Sequence, residues 1–302
     1  SALIAARRAK VPFVTTYHGA YSERSRAKNL YNSVMARSDI VIANSDYTAR
    51  SIRSRYDAPD ERIAIIPRGV DLARFDPAKV DANRIAALRD AWQVPPGAPV
   101  VLHLARVTPL KGQSVVIEAV RQLHASGRLG TAHVVFAGDA QGRTGYVTDL
   151  ENRIAEAGLG GRVHLVGHVD DVPAAFAASH LALLVSTEPE GFGRSSVEAQ
   201  AMCCPVILSR IGALPETAVT DPPAPRSPST GWLVPPGDAA ALTAALAAAL
   251  ALDPAERAAI GDRARAFVTG RFTTAELQRR TLAVYDRLIG SRLAECFVAA
   301  RS

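Results

Sequence analysis

The chain has 302 residues, 48% of them hydrophobic and 21% charged, which is enough apolar material for two domain cores. No apolar run reaches the ~20 residues that span a bilayer. The three cysteines, two of them adjacent, exclude a disulfide framework and a metal site built on cysteine spacing. We therefore expect a protein of the reducing cytoplasm, without a signal peptide.

The net charge of +6 lies at one end of the chain. Residues 1–56 hold ten Lys and Arg against three acidic residues, a net +7, so the remainder sums to −1. This end indicates an anionic partner such as a membrane surface, although a solvated helix surface has the same composition. Nucleic acid is not favoured, because no aromatic-rich basic motif or helix-turn-helix pattern accompanies the charge. Peripheral attachment at the inner membrane stays open.

The N-terminal part predicts alternating strands and helices after the end of a helix over residues 1–10. Strands are predicted over residues 11–17, 39–43 and 63–66, and helices over 22–36 and 46–56. This alternation implies a parallel sheet with crossover helices. Asn44 and Ser45 can cap the second helix. A polar segment over 72–99, with one helix near 84–92, then ends at a Pro-Pro-Gly turn.

From residue 100 the alternation restarts and predicts a doubly wound second domain. The predicted strands cover residues 100–105, 132–137, 162–166, 181–185, 205–209 and 231–234, and the helices between them cover 113–126, 145–157, 172–179 and 195–202. A Pro/Ser-rich insert over 220–230 interrupts the series, and helices over 239–252, 254–269 and 274–290 close it. The predicted class is α/β with two Rossmann-like domains.

The predicted boundaries place an N-terminal Rossmann-like domain at residues 1–75 and a linker at 76–99. A C-terminal Rossmann-like domain is predicted over 100–271. The last helix, over 272–302, is predicted to pack back toward the N-terminal domain.

The stretch over residues 187–201 predicts a strand–loop–helix unit suited to an anion. Gly191 and Gly193 break the regular backbone after a buried strand, and Ser195 and Ser196 are candidate helix caps. The free N–H groups and the dipole of such a helix start favour a phosphate. Carboxylates at Glu190 and Glu198 flank the turn and could accept hydrogen bonds from sugar hydroxyls.

Two cations, Arg106 and Lys111, follow the strand over 100–105. Arg grips phosphate oxygens as a fork and Lys supplies a point charge. Two solvent-exposed charges would be the simpler interpretation. We favour a site because loops at Gly138, Val169 and Glu190 follow other strands of the same predicted sheet, and ligands bind at the carboxyl ends of such strands.

These residues together resemble the family 4 glycosyltransferases of the retaining, GT-B type, over nearly the whole chain. The motifs that carry the resemblance are Glu190-x7-Glu198 with its glycines, Arg106 with Lys111-Gly112, Tyr17-His18-Gly19, and residues 66–71 (IPRGVD), 212–216 (GALPE) and 230–237 (TGWLVPPG). Residues 138–143 and 189–194 resemble the proteobacterial lipopolysaccharide core glycosyltransferases in particular.

The resemblance implies a nucleotide-sugar transferase that needs no cofactor and no metal, with a UDP- or GDP-sugar as donor. Arg106 and Lys111 would bind the diphosphate, Glu198 the ribose, and Val169 would border the base. Glu190 would accept sugar hydroxyls, and His18 would orient donor and acceptor. The implied donor-binding set is Arg106, Lys111, Gly191, Phe192, Gly193, Glu198, Val169 and Ser195, and the implied catalytic set is Glu190, His18, Arg106 and Lys111.

The same resemblance marks three departures from the family pattern. The chain begins part-way into the family's N-terminal domain, so we expect an incomplete domain and a truncated chain. Cys203 stands where the family usually has glycine, and Arg68 where asparagine is frequent.

The expected activity is transfer of a hexose to a lipid-linked or lipopolysaccharide core acceptor, with the sugar, base and acceptor left open. The alternatives are a catalytically weak nucleotide-sugar-binding module and a GT-B sugar-nucleotide epimerase. A hydrolase using Glu190 and Glu198 as an acid/base pair is not favoured, because one lies on a loop and the other on a helix.

Overall fold

The computed structural model describes residues 2–19, 30, 32–220 and 229–300. The chain forms two compact units, one made of Ser1–Gly69, Glu190–Phe192 and Arg271–Ser302, and the other of Val70–Pro189 and Gly193–Gly270. The segment predicted as a linker thus lies within the second unit, and the C-terminal residues belong to the first.

The first unit contains a three-stranded parallel sheet in the order β1-β2-β3. Within the described residues its strands are β1 (Val14–Tyr17), β2 (Ile40–Ala43) and β3 (Ile63–Ile65), and its helices include α1 (Ala2–Ala9), α2 (Asp46–Tyr56), α10 (Thr274–Ile289) and α11 (Leu293–Ala299).

The central strand β2 is buried on both faces because its four residues are all apolar. Val41 and Ala43 point to one face and pack with Ile52 of α2. Ile40 and Ile42 point to the other and pack with Val284 of α10. The side-chain period of two along a strand makes this division, so a run of four apolar residues serves two cores.

The second unit contains a six-stranded sheet in which every neighbouring pair is parallel. Its strands are β4 (Val100–Leu104), β5 (His133–Ala137), β6 (Val163–Gly167), β7 (Leu181–Leu184), β8 (Val206–Ser209) and β9 (Gly231–Val234). The spatial order β6-β5-β4-β7-β8-β9 corresponds to 3-2-1-4-5-6 within the unit, the order of a doubly wound dinucleotide-binding sheet. The winding reverses between β4 and β7.

Helices of the second unit cover the sheet and follow the predicted positions closely. They are α3 (Ala82–Ala91), α4 (Gln113–Ala125), α5 (Thr144–Glu156), α6 (Val172–Ala177), α7 (Arg194–Ala201), α8 (Ala239–Leu250) and α9 (Pro254–Thr269). Asp253 forms a capping box with Glu256 at the start of α9. Thr243 of α8 donates to the Gln122 side chain at the end of α4, at 2.9 Å, and so ties two helices together.

Some predicted elements differ from the structure. Most of the predicted helix over 22–36 and residues 221–228 of the predicted insert lie outside the described residues; at the end of the former, Met35–Arg37 form a short 3-10 turn. The sequence did not predict α11 as a separate helix. Gly290 and the two polar residues after it indicate where α10 ends, but they do not indicate that a new helix begins.

Within the described residues, none of the helices is by itself long and apolar enough to cross a membrane. Helices α8 and α9 reach the length and apolar composition of a membrane span only when they are taken together, and they are bent by 110° at the break between them.

Candidate functional site

The loop that follows β4 carries Arg106 and Lys111 at the point where the winding of the sheet reverses. Arg106 is exposed, and its backbone oxygen accepts a hydrogen bond from the buried Gln113 side chain at 2.9 Å. Residues Pro109–Lys111 form a 3-10 turn that ends at Gly112. The Thr187 N–H, from the loop after β7, donates to the Leu110 oxygen at 2.9 Å. The loops of the two strands that flank the reversal are therefore bonded to each other.

Gly112 lets this loop lie directly on the end of β7. Its φ is 77°, and a Cβ at this position would stand 2.1 Å from the Val185 oxygen. Both the left-handed backbone and the close approach exclude a side chain here. Glycine at position 112 is thus a steric requirement of the loop that presents Lys111.

Helix α7 begins after the glycine loop, at Arg194. Its N-cap is Gly193, and no side chain caps it. The prediction that Ser195 or Ser196 caps the helix was wrong, because both lie inside its first turn. Ser195 lies in this first turn, where the backbone N–H groups have no acceptor within the helix.

Glu198 lies one turn further along α7 and is only 14% exposed. Its carboxylate is 3.4 Å from the Arg194 guanidinium, an i,i+4 pair on one face of the helix. Glu198 is therefore held in position beside the start of α7.

A buried polar network anchors the other face of α7. The Gln200 side chain donates to the Ser196 hydroxyl oxygen at 3.0 Å and to the Thr217 backbone oxygen at 2.7 Å. The Thr217 hydroxyl donates to the Ser196 hydroxyl at 2.9 Å. All three residues are buried, so the network ties α7 to the 3-10 turn over Leu214–Thr217, which overlaps the motif of residues 212–216.

Val169 lies two strands away from β4, on the loop after β6, and borders a cavity of about 600 Å³ in the second unit. Leu88 and Trp92 of the α3 region, with His164 and His168, line the same cavity. The bidentate pair between Arg84 and Asp171, at 2.7 and 2.8 Å, joins α3 to the start of α6 beside it.

In the first unit, His18 follows β1 and its side chain meets Arg68, which follows β3. The Arg68 guanidinium lies 3.0 Å from Nδ1 of His18. The Asn44 amide, after β2, donates to the His18 backbone oxygen at 3.2 Å. Burial and the nearby Arg68 charge hold the pKa of His18 below its ordinary value. The carboxyl ends of all three strands thus contribute to one polar cluster.

Gly191 packs against the His18–Gly19 turn within the same unit. A Cβ on Gly191 would stand 2.9 Å from Gly19 Cα and 3.0 Å from the His18 oxygen, so a side chain has no room. Ser45 caps α2 and also donates to the Gly191 oxygen at 2.7 Å. The Phe192 ring meets Phe272 edge-on, with centroids 5.6 Å apart. The segment that carries Glu190 is therefore held by Ser45 at Gly191 and by Phe272 at Phe192.

The sequence did not indicate the bonds made by Ser45 and Arg68. Ser45 was predicted only as a helix cap, which the structure confirms, and Arg68 only as a departure from a motif. Both contacts join residues far apart in the chain, and no local pattern encodes them.

Among the described residues, no group of three His, Cys, Asp or Glu side chains could hold a metal. That the chain needs no metal stays a prediction.

Comparison with protein families gives two matches that together cover most of the chain. Residues 85–267 match the glycosyl transferases of group 1, and residues 1–74 match glycosyltransferase family 4.

Curated relatives include the D-inositol 3-phosphate glycosyltransferases of Kineococcus radiotolerans and Xylanimonas cellulosilytica. The first is 34% identical over 87% of this chain and 60% of its own length, and the second 31% over 96% and 70%. The putative colanic acid biosynthesis glycosyltransferase WcaL of Escherichia coli is 28% identical over 83% and 54%. The chain therefore spans 54% to 70% of the length of these relatives.

Solved structures of similar fold include a glycosyltransferase from Rickettsia africae, with a TM-score of 0.85, 27% identity and coverage of 96% of this chain and 74% of that one. Anabaena Alr3699/HepE in complex with UDP and glucose gives a TM-score of 0.82 at 27% identity, covering 95% and 75%. WaaG, a lipopolysaccharide glycosyltransferase, gives 0.71 at 18% identity over 93% and 76%, a likeness of fold alone.

Proposed function

Because this chain belongs to the glycosyl transferases of group 1 and has their GT-B fold, we propose that it moves a hexose from a nucleoside diphosphate sugar to an acceptor hydroxyl. One observation supports this most strongly. The Arg106–Lys111 loop is hydrogen-bonded to the loop after β7, where the winding of the sheet reverses. The loop after β7 leads directly to the start of α7, which no side chain caps. A doubly wound sheet binds phosphorylated ligands at such a point.

The proposed roles follow from the chemistry of each group. Arg106 and Lys111 bind the diphosphate and stabilise the charge that grows on it as the sugar leaves. The first-turn N–H groups of α7, including that of Ser195, add a positive dipole end. The acid Glu198 accepts hydrogen bonds from the ribose, and Val169 borders the base.

Around the sugar, Glu190 accepts hydroxyl hydrogen bonds, assisted by the backbone of Gly191, Phe192 and Gly193. We propose His18 as the residue that orients the sugar. Retention of configuration fits attack and departure on one face, assisted by the donor phosphate. This scheme needs no protein nucleophile, metal or cofactor.

The donor is proposed to be a UDP- or GDP-sugar, and the likeness to HepE, solved with UDP and glucose, favours UDP.

A lipid-linked or lipopolysaccharide core acceptor is supported by the basic N-terminal end, which would rest on the anionic inner membrane at ~1 kcal/mol per surface cation. The relatives named for D-inositol 3-phosphate offer a soluble anionic acceptor instead. Binding to anionic vesicles that weakens with salt supports the first; no binding at low salt contradicts it.

Calorimetry against a panel of nucleotide sugars tests the donor site. We expect one class to bind, and Lys111→Ala to weaken that binding about 10- to 100-fold, the ~1.5–3 kcal/mol of a charge-assisted hydrogen bond. Lys79→Ala, a lysine of the same unit that bonds the Ala73 oxygen, is the control and should leave affinity unchanged. Equal affinity of Lys111→Ala and the wild-type chain would remove Lys111 from the site.

Product analysis separates the alternatives. A transferase releases the nucleoside diphosphate and glycosylates an acceptor, whereas an epimerase alters the sugar and a binding module leaves the donor intact.

A further inference from the structure

The contact between Arg68 and His18 crosses the central strand of the first sheet. Strand β2 lies between β1, which His18 follows, and the segment after β3 that holds Arg68. Neighbouring strands are ~4.8 Å apart, so β1 and β3 lie roughly 10 Å from each other. An arginine is long enough to cover that distance and meet an imidazole, whereas an asparagine is too short. The residue at position 68 therefore decides whether this bond exists.

The direction of this hydrogen bond fixes the state of His18. A guanidinium has five N–H donors and no acceptor, so it can only donate. Nδ1 of His18, at 3.0 Å, must therefore be the acceptor and carry a lone pair. The ring proton then sits on Nε2, and the imidazole is neutral. Protonation would place an Nδ1–H against an Arg68 N–H, which the contact does not allow.

His18 is also held through its backbone. Its carbonyl oxygen accepts the Asn44 amide at 3.2 Å and lies against Gly191. With the main chain fixed by these contacts and the ring fixed by Arg68, the position of Nε2 is determined.

We propose that Arg68 is a positioning residue that locks His18 as the neutral Nε2–H tautomer, so that His18 offers a hydrogen-bond donor and not a base. The target is a sugar oxygen, and this part rests on the proposed function. A tautomer with Nε2–H cannot take the proton of the acceptor hydroxyl at that atom. His18 thus orients the sugar, and the proton leaves by another route.

The test is ¹⁵N NMR of histidine-labelled protein, with the His18 signals assigned through His18→Gln. The wild-type chain should show His18 with its proton on Nε2 at pH 8. In Arg68→Asn we expect loss of this single tautomer and a rise in the pKa of His18, because the guanidinium is gone. Arg62→Asn removes an exposed arginine of the same unit and should change neither property. Arg68→Gln repeats the test should Arg68→Asn fail to fold.

Turnover adds a second measurement. If the donor panel identifies a substrate, Arg68→Asn should lower kcat about tenfold or more through the misplaced ring, with little change in donor KM. A wild-type His18 protonated on Nδ1, or a tautomer unchanged in Arg68→Asn, overturns the proposal. A locked tautomer with no transfer to any acceptor supports the positioning role and rejects the proposed function instead.

Discussion

Cys203 adopts a backbone conformation that normally requires glycine. Its φ is 56°, and it closes α7 with a pair of bonds, Cys203 N–H to the Gln200 oxygen and Cys204 N–H to the Ala199 oxygen. This is the Schellman arrangement, in which the residue after the helix is left-handed. A left-handed residue with a side chain costs roughly 1–2 kcal/mol. Burial raises the pKa of the Cys203 thiol and raises that of Cys204 to about 12, so both stay protonated and unreactive.

Cys203→Gly should therefore stabilise the second unit by about 0.5–1 kcal/mol. Urea denaturation measures the difference. The control is Cys203→Ala, which removes the thiol and keeps the left-handed strain, so it should give no such gain. Equal effects of the two substitutions would show that the backbone conformation is not the cause.

Glu190→Gln tests the proposed contact with the sugar at the same scale. The substitution keeps the shape of the side chain and removes the charge that accepts hydroxyl hydrogen bonds. We expect kcat to fall at least tenfold while the affinity for the free nucleoside diphosphate changes less than twofold. Single-turnover assays and calorimetry measure the two. Losses of equal size in both would contradict a role facing the sugar.

At the scale of elements, hydrogen bonds to Thr217 place α7, and a charge pair within the helix holds the side chain of Glu198. The Ser196, Gln200 and Thr217 network lies below the helix, and the Arg194–Glu198 pair lies on its exposed face. An eight-residue helix has little stability of its own, so such contacts decide its position. A helix start that binds phosphate needs this support, because small displacements weaken every hydrogen bond to the ligand.

Thr217→Val should destabilise the second unit by about 1–3 kcal/mol, because it leaves the buried Ser196 hydroxyl without one of its partners. Thr269→Val at the half-buried end of α9 makes the same chemical change to a hydroxyl whose hydrogen bond to the Ala266 oxygen is solvent-exposed, and it should cost under about 0.5 kcal/mol. Thermal and urea unfolding give both values. If the two variants lose equal stability, the network contributes nothing special.

At the scale of the whole molecule, the buried His103 and the partly buried His180 contribute to the response to acid. His103 is central in β4, 1% exposed, with its ring edge-on to Phe136. Burial and then the charge of Lys111 lower its pKa to about 3. His180, after α6, has its pKa lowered to about 4 by burial, Arg257 and Arg89. Below pH 6.5 these two histidines are protonated in the unfolded chain, whereas in the folded chain they stay neutral until the pH approaches their lowered pKa values.

The contribution of these two histidines to stability should therefore be constant above pH 6.5 and should fall as the pH drops toward 4. For His103 the slope is roughly 1.4 kcal/mol per pH unit. Urea titrations at several pH values should show that His103→Phe removes this part of the slope. His124→Gln, an exposed histidine of α4, should leave it unchanged. An unchanged slope in His103→Phe would assign the acid response to other groups.

Local sequence patterns were sufficient to predict most of the strands and helices. Apolar runs bounded by glycine, proline and polar residues fixed all six strands of the second sheet to within about two residues, because burial on both faces demands such runs. The alternation of strands and helices then implied parallel pairing. The motif residues Arg106, Lys111 and Glu198 could be singled out for the same reason, since they follow strand ends or glycine loops that the sequence marks.

The contacts between distant segments were decided only by the tertiary structure. Nothing near Arg68 indicates that it donates to His18, fifty residues earlier, and nothing near Ser45 indicates Gly191. The cap of α7 was also beyond local inference, because glycine loop geometry replaced the serines that the pattern favoured. Sequence period determines which face a side chain occupies. Strand order determines which side chains meet, and that order depends on the packing of the whole sheet.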